Sequence, residues 1–155
     1  MTRWTRQQIA ATIDHAALKP NLTDQDIVEN CRLGKRYHVA SVCVRPSDVA
    51  LTAKELAGSG VVPSAVIGFP HGAHRPEVKA LEARLAIEDG AKELDMVMAI
   101  GKFLSGDFAW VRRDIEGVVA EAKRAGGVLV KVILETCYLT PDQIATACEI
   151  ARDAG

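Results

Sequence analysis

ELDMVMA, residues 93–99, is an apolar run too short for a helix and without the alternation of a half-exposed strand. It reads as a strand covered on both faces, with Asp95 inside it. The same is true of VLVKVILE, residues 128–135, where Lys131 interrupts the run. Working outward, TIDH at 12–15, VASVCV at 39–44 and SAVIGF at 64–69 supply three more short β-branched runs. Their starts fall 25 to 35 residues apart, the length of a strand, a crossover helix and two loops.

The intervening segments carry helix signals at their ends. Thr5 with Gln8, and Thr23 with Asp24 and Asp26, have the pattern of capping boxes. Ser47 before Asp48 is expected to cap a helix over 49–56 that Gly58 closes. Pro76 begins a fourth helix, with Val78, Leu81, Leu85 and Ile87 expected to face inward and Gly90 to stop it. Asp107 opens a fifth with Val111, Ile115, Val118, Val119 and Ala122 inward; Thr140 and Pro141 open a sixth carrying Ile144, Ala147, Cys148 and Ile150.

Alternating strands and helices without hairpin signals make the class α/β with a parallel sheet. Two architectures fit: an open, doubly wound five-stranded sheet, or the first five βα units of a (β/α)₈ TIM barrel, incomplete as it stands. The 155 residues read as one domain, 1–155. Nineteen Lys and Arg against twenty Asp and Glu leave a net charge of -1, without the basic excess of a nucleic-acid binder. The N-terminus lacks the apolar stretch of a signal peptide and no run reaches the length of about 18 apolar residues that spans a bilayer, so a soluble, cytoplasmic protein without a membrane partner is expected. Four widely spaced cysteines without a CxxC pair are expected to be reduced.

Ionisable groups inside covered strands need a reason, because an unpaired buried charge is expensive. For Asp95 and Lys131 a structural ion pair between neighbouring strands and a catalytic pair both fit; in a barrel the two would face the lumen near its C-terminal mouth, which favours function. Asp14 and His15, after the first strand run, can reach the same mouth, although His15 reads better as a half-buried residue bonded to backbone. Glu135 shares a strand face with Lys131 but stands roughly 13 Å along it, too far for a direct salt bridge. Cys43 reads as an inert core thiol. Phe69, at the turn FPHG, either closes over a ligand or plugs the strand end. His71 and His74 lack partners at metal-ligand spacing, so no metal is expected. GxGxxG, GxxxxGK[ST] and GxSxG are all missing, which removes the dinucleotide, P-loop and α/β-hydrolase readings. What is left is a lysine on a low-dielectric strand beside a carboxylate, suited to amine or proton-transfer chemistry on a carbonyl compound.

IDHAALKP (13–20), SVCVRP (41–46), VIGFPHGA (66–73), GAKELDMVMAIG (90–101) and VKVILETCYL (130–139) together resemble the deoxyribose-phosphate aldolase family in order and spacing, from about residue 7 onward. The resemblance implies a class I aldolase on a TIM barrel. Such an enzyme needs no metal or other cofactor and reversibly cleaves 2-deoxyribose 5-phosphate to glyceraldehyde 3-phosphate and acetaldehyde through a lysine Schiff base. Carried over, it makes Asp95 the relay carboxylate, Lys131 the auxiliary lysine, Asp14 a support for the relay, and Cys43 and Phe69 the lining of the substrate pocket. Ala16 departs from the family's usual Thr and implies a weakened substrate contact. In the family the Schiff-base lysine lies on the sixth strand, so these five units alone are expected to be inactive. A non-catalytic scaffold is the alternative reading. Unpaired outer strands lead us to expect a homo-oligomer.

Overall fold

A computed structural model describes residues 3–155. It opens with a short helix, α1 (Arg6–Ala10), and then alternates β1 (Asp14–Ala17), α2 (Asp24–Tyr37), β2 (Ser41–Val44), α3 (Val49–Leu56), β3 (Val62–Ile67), α4 (Pro76–Glu88) and β4 (Glu93–Val97). A brief helix α5 (Ile100–Leu104) precedes α6 (Phe108–Arg124), β5 (Leu129–Ile133) and α7 (Pro141–Asp153). The capping boxes at Thr5 and Thr23 are both made, and a third forms at Thr140 with Gln143. The expected Ser47 cap is not: a 3₁₀ turn over Pro46–Asp48 leads into α3 instead, and Ser47 Oγ donates to the Asp48 carboxylate. The first strand begins at Asp14 rather than Thr12, so Asp14 and His15 lie within it rather than after it.

All five strands are parallel and lie in the sheet in the order β1-β2-β3-β4-β5. A doubly wound sheet reverses part-way, making neighbours in space non-neighbours in sequence. The unbroken order excludes that alternative and matches consecutive units of a barrel.

Strand alternation then divides the side chains cleanly. Ala17, Val42, Val44, Ala65, Ile67, Leu94 and Met96 enter the hydrophobic core with Ile27, Cys31, Val49, Leu56, Phe103, Val111, Ile115 and Val118 from the helical layer. The residues between them, Asp14, Ser41, Cys43, Ser64, Val66, Glu93, Asp95 and Lys131, share the opposite face. The helices cover one side of the sheet and the polar groups hold the other.

α4 corrects the expected helix face. Val78, Leu81 and Leu85 are 47%, 45% and 48% exposed, while Lys79, Ala83 and Ala86 are buried. The reason is close packing against α6: small alanines let the two helices approach, and Gly117 of α6 lies within ordinary contact range of Ala80. Of the expected stripe only Ile87 packs against the core. In the α7 stripe, Ala147 and Ile150 are buried but Cys148 is exposed. No helix among the described residues is long and apolar enough to cross a membrane.

The burial pattern predicts opposite outcomes for two leucines. Leu94→Ala should cost about 2–5 kcal/mol in urea unfolding, as for other buried leucines, whereas Leu81→Ala should stay within about 0.5 kcal/mol. Equal losses would contradict the assigned face of α4.

Candidate active site

Lys131 reaches inward from the middle of β5, and its ammonium is gripped by three carboxylates. Nζ donates to Asp14 Oδ2 at 2.7 Å and to Glu93 Oε2 at 2.9 Å, and lies 3.0 Å from Asp95 Oδ1. The Asp95 contact is an ion pair outside hydrogen-bond geometry, and that oxygen has no hydrogen-bond donor from the protein. Asp95 and Lys131 are direct partners across β4 and β5, as neighbouring strands require. Glu93 arrives two residues earlier on the same face of β4. Asp14 comes from the far side: β1 and β5 are the outermost strands, and in a flat sheet four inter-strand spacings would put them roughly 19 Å apart. The 2.7 Å contact therefore reports a sheet curled on itself, with this cluster inside the curve.

The electrostatics follow from the contacts. Burial works to lower the Lys131 pKa, but the bonds to Asp14, Glu93 and Asp95 outweigh it and hold the ammonium above the ordinary lysine range. For Asp14, burial pushes upward and is overcome by hydrogen bonds from Lys131 and Ser41, the latter at 2.6 Å, so the carboxyl sits below its usual range. Lys131 thus keeps its proton at neutral pH, and its environment is the reverse of the one that frees a lysine to act as a nucleophile.

Cys43, on β2, is 4% exposed, and its thiol is pushed up to about 12, first by burial and then by the nearby Asp95 charge. It contributes a small, unreactive wall. Ser64, paired in register with both Cys43 and Glu93, is fully buried, and its hydroxyl lacks a hydrogen-bond partner within the protein.

The remaining expected residues fall elsewhere. His15 points to the helical side, where its Nε2 lies 2.7 Å from Asn30 Oδ1, so it does not share the mouth with Asp14 and its bond is to a side chain rather than to backbone. Phe69 stands just beyond the end of β3, 40% exposed and outside the Lys131 cluster. Glu135 makes no contact with Lys131; its Oε1 instead accepts from the Cys137 thiol at 3.4 Å. Glu93 is the residue that sequence reasoning missed. Its signal was its place in ELDMVMA, two residues before Asp95 and therefore on the same strand face, but at the end of a run a charge needs no explanation.

The cluster predicts a pH signature. Removing the ammonium takes away the partner that holds Asp14 below its usual range and leaves Asp14 crowded against Glu93 and Asp95 without a counter-charge, a repulsion that acid relieves. Lys131→Met should therefore be destabilised at neutral pH and recover relative to the parent as pH falls toward about 5. The parent should behave oppositely near Asp14, losing stability as pH drops through that lowered pKa. Urea midpoints across pH check both, and a pH-independent difference would contradict the shared ammonium.

Comparison with known proteins finds relatives over almost the whole chain. Residues 8–155 match the model of the DeoC/LacD family aldolases. A deoxyribose-phosphate aldolase of Listeria innocua is 52% identical over 147 residues, covering 95% of this chain and 65% of the relative. One of Clostridium tetani is 48% identical over 148 residues, covering 96% and 68%. The solved tetrameric deoxyribose phosphate aldolase of Aeropyrum pernix superposes with a TM-score of 0.88 at 32% identity, covering 97% of this chain and 62% of that one. The chain thus spans about 65% of the length of the Listeria relative. A polar, lysine-centred concave face on consecutive parallel βα units, matched over nearly the whole sequence, places the chain in the DeoC/LacD family of aldolases.

Proposed function

We propose that this chain forms the relay side of a class I aldolase that reversibly cleaves 2-deoxyribose 5-phosphate to glyceraldehyde 3-phosphate and acetaldehyde through a lysine Schiff base. The observation that carries the reading is the ammonium of Lys131 held among Asp14, Glu93 and Asp95 on the concave face of the sheet. Asp95 acts as the proton-accepting carboxylate, since its Oδ1 receives no aligned hydrogen bond within the protein while the Lys131 ammonium, 3.0 Å away, fixes its position. Lys131 keeps the surrounding carboxylates charged and in place, and Asp14 anchors it from the opposite edge of the sheet. Cys43 supplies a small, inert surface beside the acetaldehyde-derived carbons, and Phe69 closes the pocket at the exit of β3.

Schiff-base formation needs a neutral amine to attack the carbonyl and lose water. Lys131 is held protonated and so is not the condensing amine; the family resemblance implies that this lysine lies on a sixth strand, beyond the five described. No metal or other cofactor takes part. The 155-residue chain alone is inactive in this reading. The outer edges of β1 and β5 favour association with further strands, and a homo-oligomer is the expected state in solution. A small phosphorylated sugar is the expected partner, and the net charge of -1 lacks the basic excess of a nucleic-acid binder.

Borohydride reduction in the presence of acetaldehyde separates the roles. The 155-residue chain should acquire no site-specific label by peptide mass mapping, and stoichiometric label on Lys131 would overturn the assignment. In a chain continued through a closed barrel, Asp95→Asn should keep the fold and lower kcat by about 10²–10⁴, the usual worth of a general base. An unchanged kcat would return Asp95 to a structural role.

A further inference from the structure

Behind the sheet, between α4 and α6, Lys79 and Asp114 form an ion pair at 2.6 Å with neither side chain exposed. Nothing in the proposed chemistry uses it. Burying two charges gains little over packing two apolar side chains of similar size, so adhesion between helices does not account for the pair. Its other bonds do. Lys79 Nζ also donates to the carbonyl of Val97 at 2.8 Å, and Asp114 Oδ2 also accepts from the amide of Ala99 at 3.1 Å. The pair thus grips β4 at its last residue and just beyond it.

The grip extends to the neighbouring strand. A Cβ on Gly68 would stand 2.7 Å from Lys79 Cε and 3.1 Å from its Cδ, so the lysine stem lies directly beneath the exit of β3. The Gly68 amide is held by Glu82 Oε2 at 2.7 Å, which brings a second acidic group of α4 close to the ammonium. A Cβ on Gly72 would collide with the Met98 carbonyl, so the turn after β3 presses on the segment after β4. On its other side β4 is bound to β5, with Val97 paired to Ile133 and the Met98 amide donating to the Ile133 carbonyl at 3.2 Å. Two residues back along these strands stand Asp95 and Lys131.

We infer that Lys79 and Asp114 are positioning residues for the concave cluster: by fixing where β4 ends against β3 and β5, the pair sets the contact between Asp95 and Lys131 from the opposite side of the sheet. Positioning of the cluster by this pair does not depend on the aldolase reaction, so its failure and the failure of that reading are separable.

The test follows the Lys131 ammonium by ¹⁵N NMR in the 155-residue chain, its signal identified by its loss in Lys131→Arg. Two folded variants are compared: Asp114→Asn, nearly isosteric, and the double change Lys79→Met with Asp114→Leu, which replaces the charges by apolar groups. Val118→Ala, a core change one turn along α6 from Asp114 that leaves the pair intact, is the control for simple loss of packing and stability. Proton exchange at the Lys131 ammonium should quicken about tenfold in the double variant through local opening, and by a smaller factor in Asp114→Asn. In both, the amides of β1 and β2 should keep their parental shifts. Exchange within twofold of the parent, or no faster than in Val118→Ala at equal loss of thermal midpoint, would overturn the inference. Failure of both variants to fold would overturn it too, because the pair would then be a requirement of the fold as a whole.

Discussion

The contact between Lys131 and Asp14 joins residues 117 apart in sequence and on opposite margins of the sheet. No flat arrangement allows it. Everything functional in the molecule depends on the curvature it reports: an inner surface on which groups from non-adjacent strands converge, and an outer surface that the helices cover. Parallel pairing of β1 to β5 in sequence order supplies the curvature, and the exclusion of helices from the inner side leaves room for charge. One ammonium then serves three carboxylates, and the unequal count explains why Lys131 holds its proton so firmly.

That firmness defines what the cluster is able to do. A protonated lysine orients and screens carboxylates, but it does not attack a carbonyl. Membership in an aldolase family and the absence of a reactive amine in this cluster are therefore compatible. In the proposed reaction the chemistry is divided between side chains, with these five units holding the part that manages protons.

Much of this was legible in the sequence. Charges inside ELDMVMA and VLVKVILE are so costly in a covered strand that Asp95 and Lys131 announced themselves, and strand spacing placed them side by side. The first strand run placed Asp14 within reach of the same mouth, but its direct contact with Lys131 was not legible, because that distance closes by curvature, which no local pattern records. Lys79 and Asp114 were hidden for a different reason. On an amphipathic helix a charge reads as solvent-facing, and in α4 the apolar side chains Val78, Leu81 and Leu85 were the natural candidates for burial. Close approach of α4 to α6 through small residues reversed that, a tertiary preference overriding helical periodicity. His15 is half-buried as expected, with the Asn30 side chain rather than backbone as its partner; a mouth shared with Asp14 is ruled out because adjacent residues on a strand point in opposite directions.

The two-faced sheet has one more consequence, for folding rather than for chemistry. A covered parallel strand made only of valine, leucine and isoleucine tolerates being threaded one residue out of step, since either face buries equally well. Here a single-step slip of β5 along β4 would drive Lys131 into the helical layer beside Leu94 and Met96 and turn Val130 and Val132 toward the carboxylates. Misalignment is thereby converted from a near-degenerate alternative into an unpaired charge in an apolar layer, and the same lysine that orders the inner surface also selects the one threading of its strand that can persist.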